Sequence, residues 1–380
     1  MFDVFRMFRL VNLFYALSLL MTFVGVCIAD DMLDIEGCVA GNSNNSLTIS
    51  LPDGSVYEGS VDEKGLLSGF AILKWKTGAI YRGCFEGGII NGKGIFVKSD
   101  GAVHDGIFEG GIIIEGIRTE ATGMTFSGKF RNGMLDGVGE IVYSDGSSYQ
   151  GEVTNGYENG RGKLIALNGD VFEGNFKSGF LDGDATIRFS NGGFYKGDFV
   201  SGVKSGKGVL VYANGDKYEG EFKLDYPDGL GVYERHNGDR YAGEFRQGEI
   251  HGDAIVEFSS GGFYKGPYIR GVESGKGVRV YANGDKYEGD FVNGVKSGEG
   301  VLVHANGDKY EGEFKLDYPD GLGVYERHNG DRYAGEFRQG EIHGKGVYVR
   351  KNGTELCGYF AYGEYLGEKP MTKLEQPLVQ

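Results

Sequence analysis

An aromatic-x-Gly triplet recurs along this 380-residue chain, and its spacing constrains the fold more than any other feature. The triplet opens at Tyr57, Tyr81, His104, Phe126, Tyr149, Phe172 and Tyr195, then at Tyr218, Tyr241, Tyr264, Tyr287, Tyr310, Tyr333 and Leu356. The first three intervals are 24, 23 and 22 residues, and the other ten are all 23. The glycine two residues on is present in all 14 units, and the residue four on is aromatic in 12, with Val61 and Val153 the exceptions. A period of this kind is a repeat architecture, in which no unit buries its apolar face alone and each leans on its neighbours.

One unit can be read from its residue alternation. In YEGEF, Tyr218, Gly220 and Phe222 point to one face of a strand, and Glu219 and Glu221 to the other. The glycine leaves a notch into which a ring of the adjacent unit can settle. KLDYPDGLG then reads as a turn-rich connection holding Gly229-x-Gly231, and VYERH as a second strand reaching Asn237-Gly238-Asp239. Asn-Gly and Asp-Gly are hairpin signals, and they recur at Asp100-Gly101, Asn168-Gly169, Asn283-Gly284 and Asn352-Gly353. The expected fold is all-β: one elongated antiparallel sheet of about 14 tandem 23-residue hairpins, preceded by an apolar N-terminal helix. At two strands per unit the rod measures roughly 130 Å. Its core is a structural ring ladder that includes Tyr218, Phe222, Tyr241, Phe245, Tyr287, Phe291, Tyr310 and Phe314.

Tyr-x-Gly-x-Phe followed by Gly-x-Gly and Asn-Gly resembles the MORN (membrane occupation and recognition nexus) family, over about Leu47 to Gly367. Units two and four to thirteen fit the pattern well. The units opening at His104 and Leu356 depart at the leading aromatic, and the Gly-x-Gly pair is missing after His104. The resemblance implies a scaffold, tether or dimerisation module, often near membranes. Similar repeats sometimes precede a protein-methylating or lipid kinase domain. Only 13 residues follow Gly367 here, so the expectation is a non-enzyme without a cofactor.

Other chemistry is disfavoured residue by residue. A net charge of −15 without a basic stripe disfavours nucleic acid. GVKSGKG at Gly202–Gly208 is one residue short of a phosphate-binding loop and recurs as GVESGKG at Gly271–Gly277, so it belongs to the repeat. The Asn-Gly-Asp corners are explained by turn formation rather than calcium. Glu219 and Glu221 repeat at Glu311 and Glu313, as expected of a solvated face and not of a unique catalytic pair. No histidine clusters with cysteine, so no metal is called for. Cys38, Cys84 and Cys357 lie beyond the apolar segment; the last two are roughly 115 Å apart along the rod, and no disulfide framework is expected.

Arg6 and Arg9 precede Leu10–Ile28, which holds no charged residue, and Asp30 follows Ala29. This describes a secretory signal, with an uncleaved membrane anchor as its competitor. Either way the repeats are expected outside the cytoplasm, secreted or membrane-anchored. The chain divides into residues 1–29 (signal or anchor), 30–46 (linker), 47–367 (array) and 368–380 (tail). The favoured function is a non-catalytic interaction scaffold with a protein partner; a homodimer and membrane association through Leu10–Ile28 stay open. The rivals are an accessory subunit of a membrane complex and a carbohydrate-binding surface protein. Residues 208–252 and 300–344 are identical except for Tyr212 against His304. The duplicated corners present Asp225, Tyr226 and Asp228, and Asp317, Tyr318 and Asp320, as two equivalent docking points.

Overall fold

The computed structural model describes Cys38 and residues 46–368. The apolar segment with its expected helix, most of the 30–46 linker and nearly all of the tail lie outside the described residues. Among the described residues all regular structure is β-strand, and no helix is long and apolar enough to cross a membrane.

The described residues divide into two compact units, one up to residue 99 with 105–112, the other 100–104 with 113 onward. In the first, strands Leu47–Ser50, Val56–Val61, Leu67–Lys74, Ile80–Glu86 and Ile89–Val97 pair antiparallel in chain order. In the second, the same meander runs from the strand ending at Thr119 to Glu364–Gly367, hairpin after hairpin. The tandem-hairpin, single-sheet architecture expected from the repeat is the one found.

The detail of a hairpin differs from the sequence reading in two places. KLDYPDGLG is not a long connection. Strand Lys217–Lys223 turns back through Leu224 and Asp225 alone, and the next strand, Tyr226–Glu234, already contains Pro227 and the Gly-x-Gly pair. Both turn residues have positive φ, 50° and 71°, which is the geometry of a two-residue hairpin turn matched to strand twist. The Asn-Gly corner is the wider turn: Gly238 N–H donates to the Arg235 carbonyl and Arg235 N–H to that of Asp239. Only its glycine, at φ 94°, is left-handed.

The second difference is a bulge. Gly220 pairs with Gly231, and Phe222 with Pro227, so Asp228, Gly229 and Leu230 together oppose Glu221. In several units the carboxylate at this place folds back over the bulge. Glu313 Oε1 accepts the Leu322 N–H at 3.1 Å, Glu336 Oε1 that of Lys345 at 3.2 Å, and Glu152 Oε1 that of Arg161 at 3.2 Å. These carboxylates therefore satisfy backbone left unpaired by the bulge and are more than a solvated face.

Candidate functional site

The ring face is built by the triplet tyrosines. Tyr218, Tyr287, Tyr310 and Tyr333 are at most 1% exposed, and each hydroxyl donates to the carbonyl three residues on, at 2.9–3.1 Å. The notch is filled by the unit's own tyrosine, not a neighbour's ring. A Cβ at Gly231 would lie 2.4 Å from Tyr218 Oη, and one at Gly220 would lie 2.6 Å from it. Units are joined by phenylalanine: Tyr218 meets Phe222 edge to face at 5.1 Å and Phe245 of the next unit at 5.0 Å. Tyr287, Phe291, Tyr310 and Phe314 repeat this, with centroids 5.0–5.1 Å apart. Burial raises the tyrosine pKa values; Tyr333 is pushed up to about 12, with the Glu336 charge adding to burial.

Tyr241 breaks the ladder. Its local sequence is identical to that of Tyr333 through Gly252, yet Tyr333 is fully buried and Tyr241 only half-buried. The difference lies just past the duplicated stretch, where Ala254 stands in place of Gly346. A Cβ at Gly346 would sit 2.2 Å from Tyr333 Oη, so the real methyl of Ala254 denies Tyr241 the same seat. Tyr241 instead lies beneath the Arg235 guanidinium at 5.0 Å and beside Tyr233 at 6.0 Å.

Charged side chains also enter the ring face, which the sequence reading missed. Lys204 Nζ lies 5.2 Å from the Tyr195 ring centroid, and Lys296 Nζ 5.7 Å from that of Tyr287. Burial lowers both ammonium pKa values. Arg279 Nη1 donates to Glu273 Oε1 at 2.6 Å and its guanidinium stacks 4.8 Å from Phe258. Burial raises the Glu273 pKa, and Arg279 opposes that shift. Tyr241, Phe245, Phe258, Tyr268, Glu273 and Arg279 line a cleft of about 660 Å³.

At the tight-turn edge, Tyr226 is 58% and Tyr318 56% exposed. Their flanking carboxylates are engaged with backbone. Asp225 Oδ1 accepts the Lys204 N–H at 3.0 Å and Asp228 Oδ2 that of Gln247 at 3.2 Å. Asp317 Oδ1 accepts the Lys296 N–H at 2.9 Å and Asp320 Oδ2 that of Gln339 at 3.1 Å. A cleft of about 1060 Å³ opens beside the second corner, between Lys315, Tyr318, Arg338 and His343.

The wider corners are stapled to one another. Asp216 Oδ1 accepts the His236 backbone N–H at 2.9 Å and meets its Nδ1 at 2.8 Å, while Oδ2 accepts the Tyr233 hydroxyl at 2.5 Å. Asp308 does the same with His328 and Tyr325. The hydrogen bond from Tyr233 and those from His236 hold the Asp216 carboxyl well below the usual carboxylate range. Among the described residues no cluster of His, Cys, Asp and Glu could hold a metal ion.

The MORN repeat model matches residues 81–103 and eleven segments in all, the other ten running without a gap from 126 to 355. The chain belongs to the MORN repeat family. The matched MORN units are the second and the fourth to thirteenth, and the unit opening at His104 is passed over. The repeat array that fills most of the chain is a protein-interaction scaffold of this all-β class. No curated protein matches it. Among solved structures, it is similar to the TCP10c domain of Drosophila melanogaster Sas-4 at 14% identity, covering 51% of this chain and 94% of that one, with a TM-score of 0.22. The TCP10 domain of Danio rerio CPAP, solved with a STIL peptide, gives 9% identity, 82% and 97% coverage, and a TM-score of 0.15. Virginiamycin B lyase from Staphylococcus aureus gives 11%, 76% and 83%, and 0.13. Scores this low establish no shared fold.

One covalent link corrects the sequence reading. Cys84, paired with Phe70 in the sheet and 3% exposed, forms a disulfide with Cys38. Cys357 is free and exposed.

Proposed function

We propose that this MORN protein holds a protein partner at two equivalent corners of its sheet, Leu224–Asp228 and Leu316–Asp320, outside the cytoplasm. One observation carries the reading. Elsewhere in the array the second residue of the tight turn is glycine, as in Gln247-Gly248 and Asn293-Gly294; at these two corners alone it is aspartate, so both left-handed positions lack glycine. Such positions cost about 1 kcal/mol or more each, and backbone strain of this kind concentrates at functional sites. Each corner displays a tyrosine more than half exposed, and hydrogen-bonded carboxylates hold it rigid. Four units separate them, roughly 38 Å along the sheet before twist, so a partner with two heads gains avidity. The Cys38–Cys84 disulfide supports an oxidising compartment, in keeping with the apolar segment Leu10–Ile28.

A photo-crosslinking residue introduced at position 226 or 318 in the native cells tests this. The same adduct is expected from both positions, reduced in Tyr226→Ala or Tyr318→Ala alone and lost in the double variant when the probe is placed at Gln247. Undiminished crosslinking in the double variant overturns the proposal.

A further inference from the structure

The tight turns of the second unit form a row along one edge. The first residue after the turn is Met134, Tyr157, Phe180, Val203 and Tyr226 in succession; Val203 is half-buried and the other four are exposed to 52%, 64%, 59% and 58%. Val200 and Leu224 beside them are exposed to 58% and 69%. Successive units step by two strands, roughly 10 Å, so Met134 to Tyr226 spans roughly 38 Å. Two of its rings lean on the next turn: a Cβ at Gly202 would meet Phe180 at 3.2 Å, and one at Gly248 would meet Tyr226 at 3.9 Å. An exposed apolar row of this length marks an interaction surface.

The charges beside it say what covers it. Arg131, Lys177 and Lys223 are the direct cross-strand neighbours of Met134, Phe180 and Tyr226. Arg131 reaches Asp136 at 3.4 Å. Lys177 and Lys223 are exposed, with no ion pair among the described residues. The nearby acids face inward: Asp136, Asp182 and Asp228 each accept a turn N–H, from Asn155, Ser201 and Gln247, at 3.2–3.3 Å. The edge of a chain with net charge −15 thus presents apolar side chains and unpaired cations.

We propose that this edge binds an acidic, extended peptide segment with a large apolar side chain every third residue. Three extended residues cover about 10 Å, the step between corners. The cations supply charge complementarity and the rings supply the contact area. The proposal rests on the corner reading and names the partner's chemistry.

The probe is the acetylated, amidated peptide (Asp-Glu-Phe)4 titrated into the full chain. Measurable binding is expected, weakened at least tenfold by Lys177→Glu with Lys223→Glu, and at least tenfold by Phe180→Ser with Tyr226→Ser. These exposed sites should leave the circular dichroism melt unchanged. Equal binding of (Lys-Lys-Phe)4, or charge reversal without effect, overturns the proposal; so does binding of phosphatidylserine vesicles in place of the peptide. If the crosslinked partner is lost in the corner variants while the acidic peptide never binds, the docking corners stand and their acidic ligand falls.

Discussion

Replacing Gly346 by alanine tests the steric rule that separates Tyr333 from Tyr241. The new methyl would sit 2.2 Å from Tyr333 Oη and 2.4 Å from Cζ, so the ring must leave its seat. It would forfeit hydrogen bonds to the Glu336 and His343 carbonyls, both 3.1 Å, and the edge-to-face contact with Phe360 at 5.1 Å. Exposing roughly half of an aromatic side chain costs about 2 kcal/mol, and the lost hydrogen bonding and ring contact about 1 kcal/mol each. The reduced backbone freedom of alanine offsets about 0.5–1 kcal/mol. The net expectation is about 3 kcal/mol, confined to the thirteenth unit and its neighbours.

Hydrogen exchange over the strands Arg332–Arg338 and Glu341–Val349 reads this directly, against strands near residue 150 as the internal reference. Tyrosinate absorbance gives a second readout, because burial pushes the Tyr333 pKa up to about 12 and its exposure in the variant should lower it. Ala254→Gly is the reciprocal change and should seat Tyr241. One tyrosine limits the rule: Tyr57 faces Ala71 and stays buried, but its strand slips register a residue earlier, between Gly59 and Ser60. If Gly346→Ala is neutral and leaves the Tyr333 titration in place, the ring tolerates the methyl and the account of Tyr241 is wrong.

Reducing Cys38–Cys84 releases a closure of 46 residues, worth about 4 kcal/mol by chain entropy, and should lower the melting of the first compact unit while sparing the second. An unchanged calorimetric profile with reductant would contradict this. Asp216 and Asp308 are held below the usual carboxylate range by hydrogen bonds from Tyr233, Tyr325 and the two histidines. Their contribution is therefore complete above the unfolded value of about 3.9 and is lost as the pH falls through and below it. Between pH 5 and pH 2, as a rough window, Asp216→Asn with Asp308→Asn should flatten the decline in stability; an identical acid profile would refute the staples.

The repeat made the hairpin order legible because a period of 23 leaves room for two strands and two turns, and the alternation at Tyr218–Phe222 fixes one face. The alternation fails where backbone geometry, not side-chain type, decides. Nothing in Lys223-Leu224-Asp225 advertises a two-residue turn, since leucine rarely takes positive φ; the glycines at 248, 294 and 340 in the same column carry that signal. The bulge opposite Glu221 shifts the count by two residues, which hid the role of that carboxylate. Aligning the second strands would have shown Lys204, Glu273 and Lys296 in a column with Pro227 and Ile250, and Arg279 in one with Leu210 and Leu302. Cys38 lies outside the array, so no periodicity could pair it with Cys84.

The duplication separates what the corners need from what the ring face needs. Residues 208–252 and 300–344 carry the whole tight turn, its exposed tyrosine, its unpaired lysine and its inward aspartates, and both places fold alike. The residue that decides how the ring of the following unit is seated, Ala254 or Gly346, lies just outside that stretch. Ala254 displaces Tyr241, which lines the ring-face cleft together with Pro227, whereas Gly346 seats Tyr333. Corner chemistry is thus set within one unit, and the seating of the following ring by a residue outside it. If ring seating reaches the corner, two sites with one chemistry should bind one partner with different ordering costs. Ala254→Gly removes that inequality without touching either corner. If binding at Tyr226 then tightens while binding at Tyr318 stays constant, the ring face controls the edge; if neither moves, the two surfaces act independently.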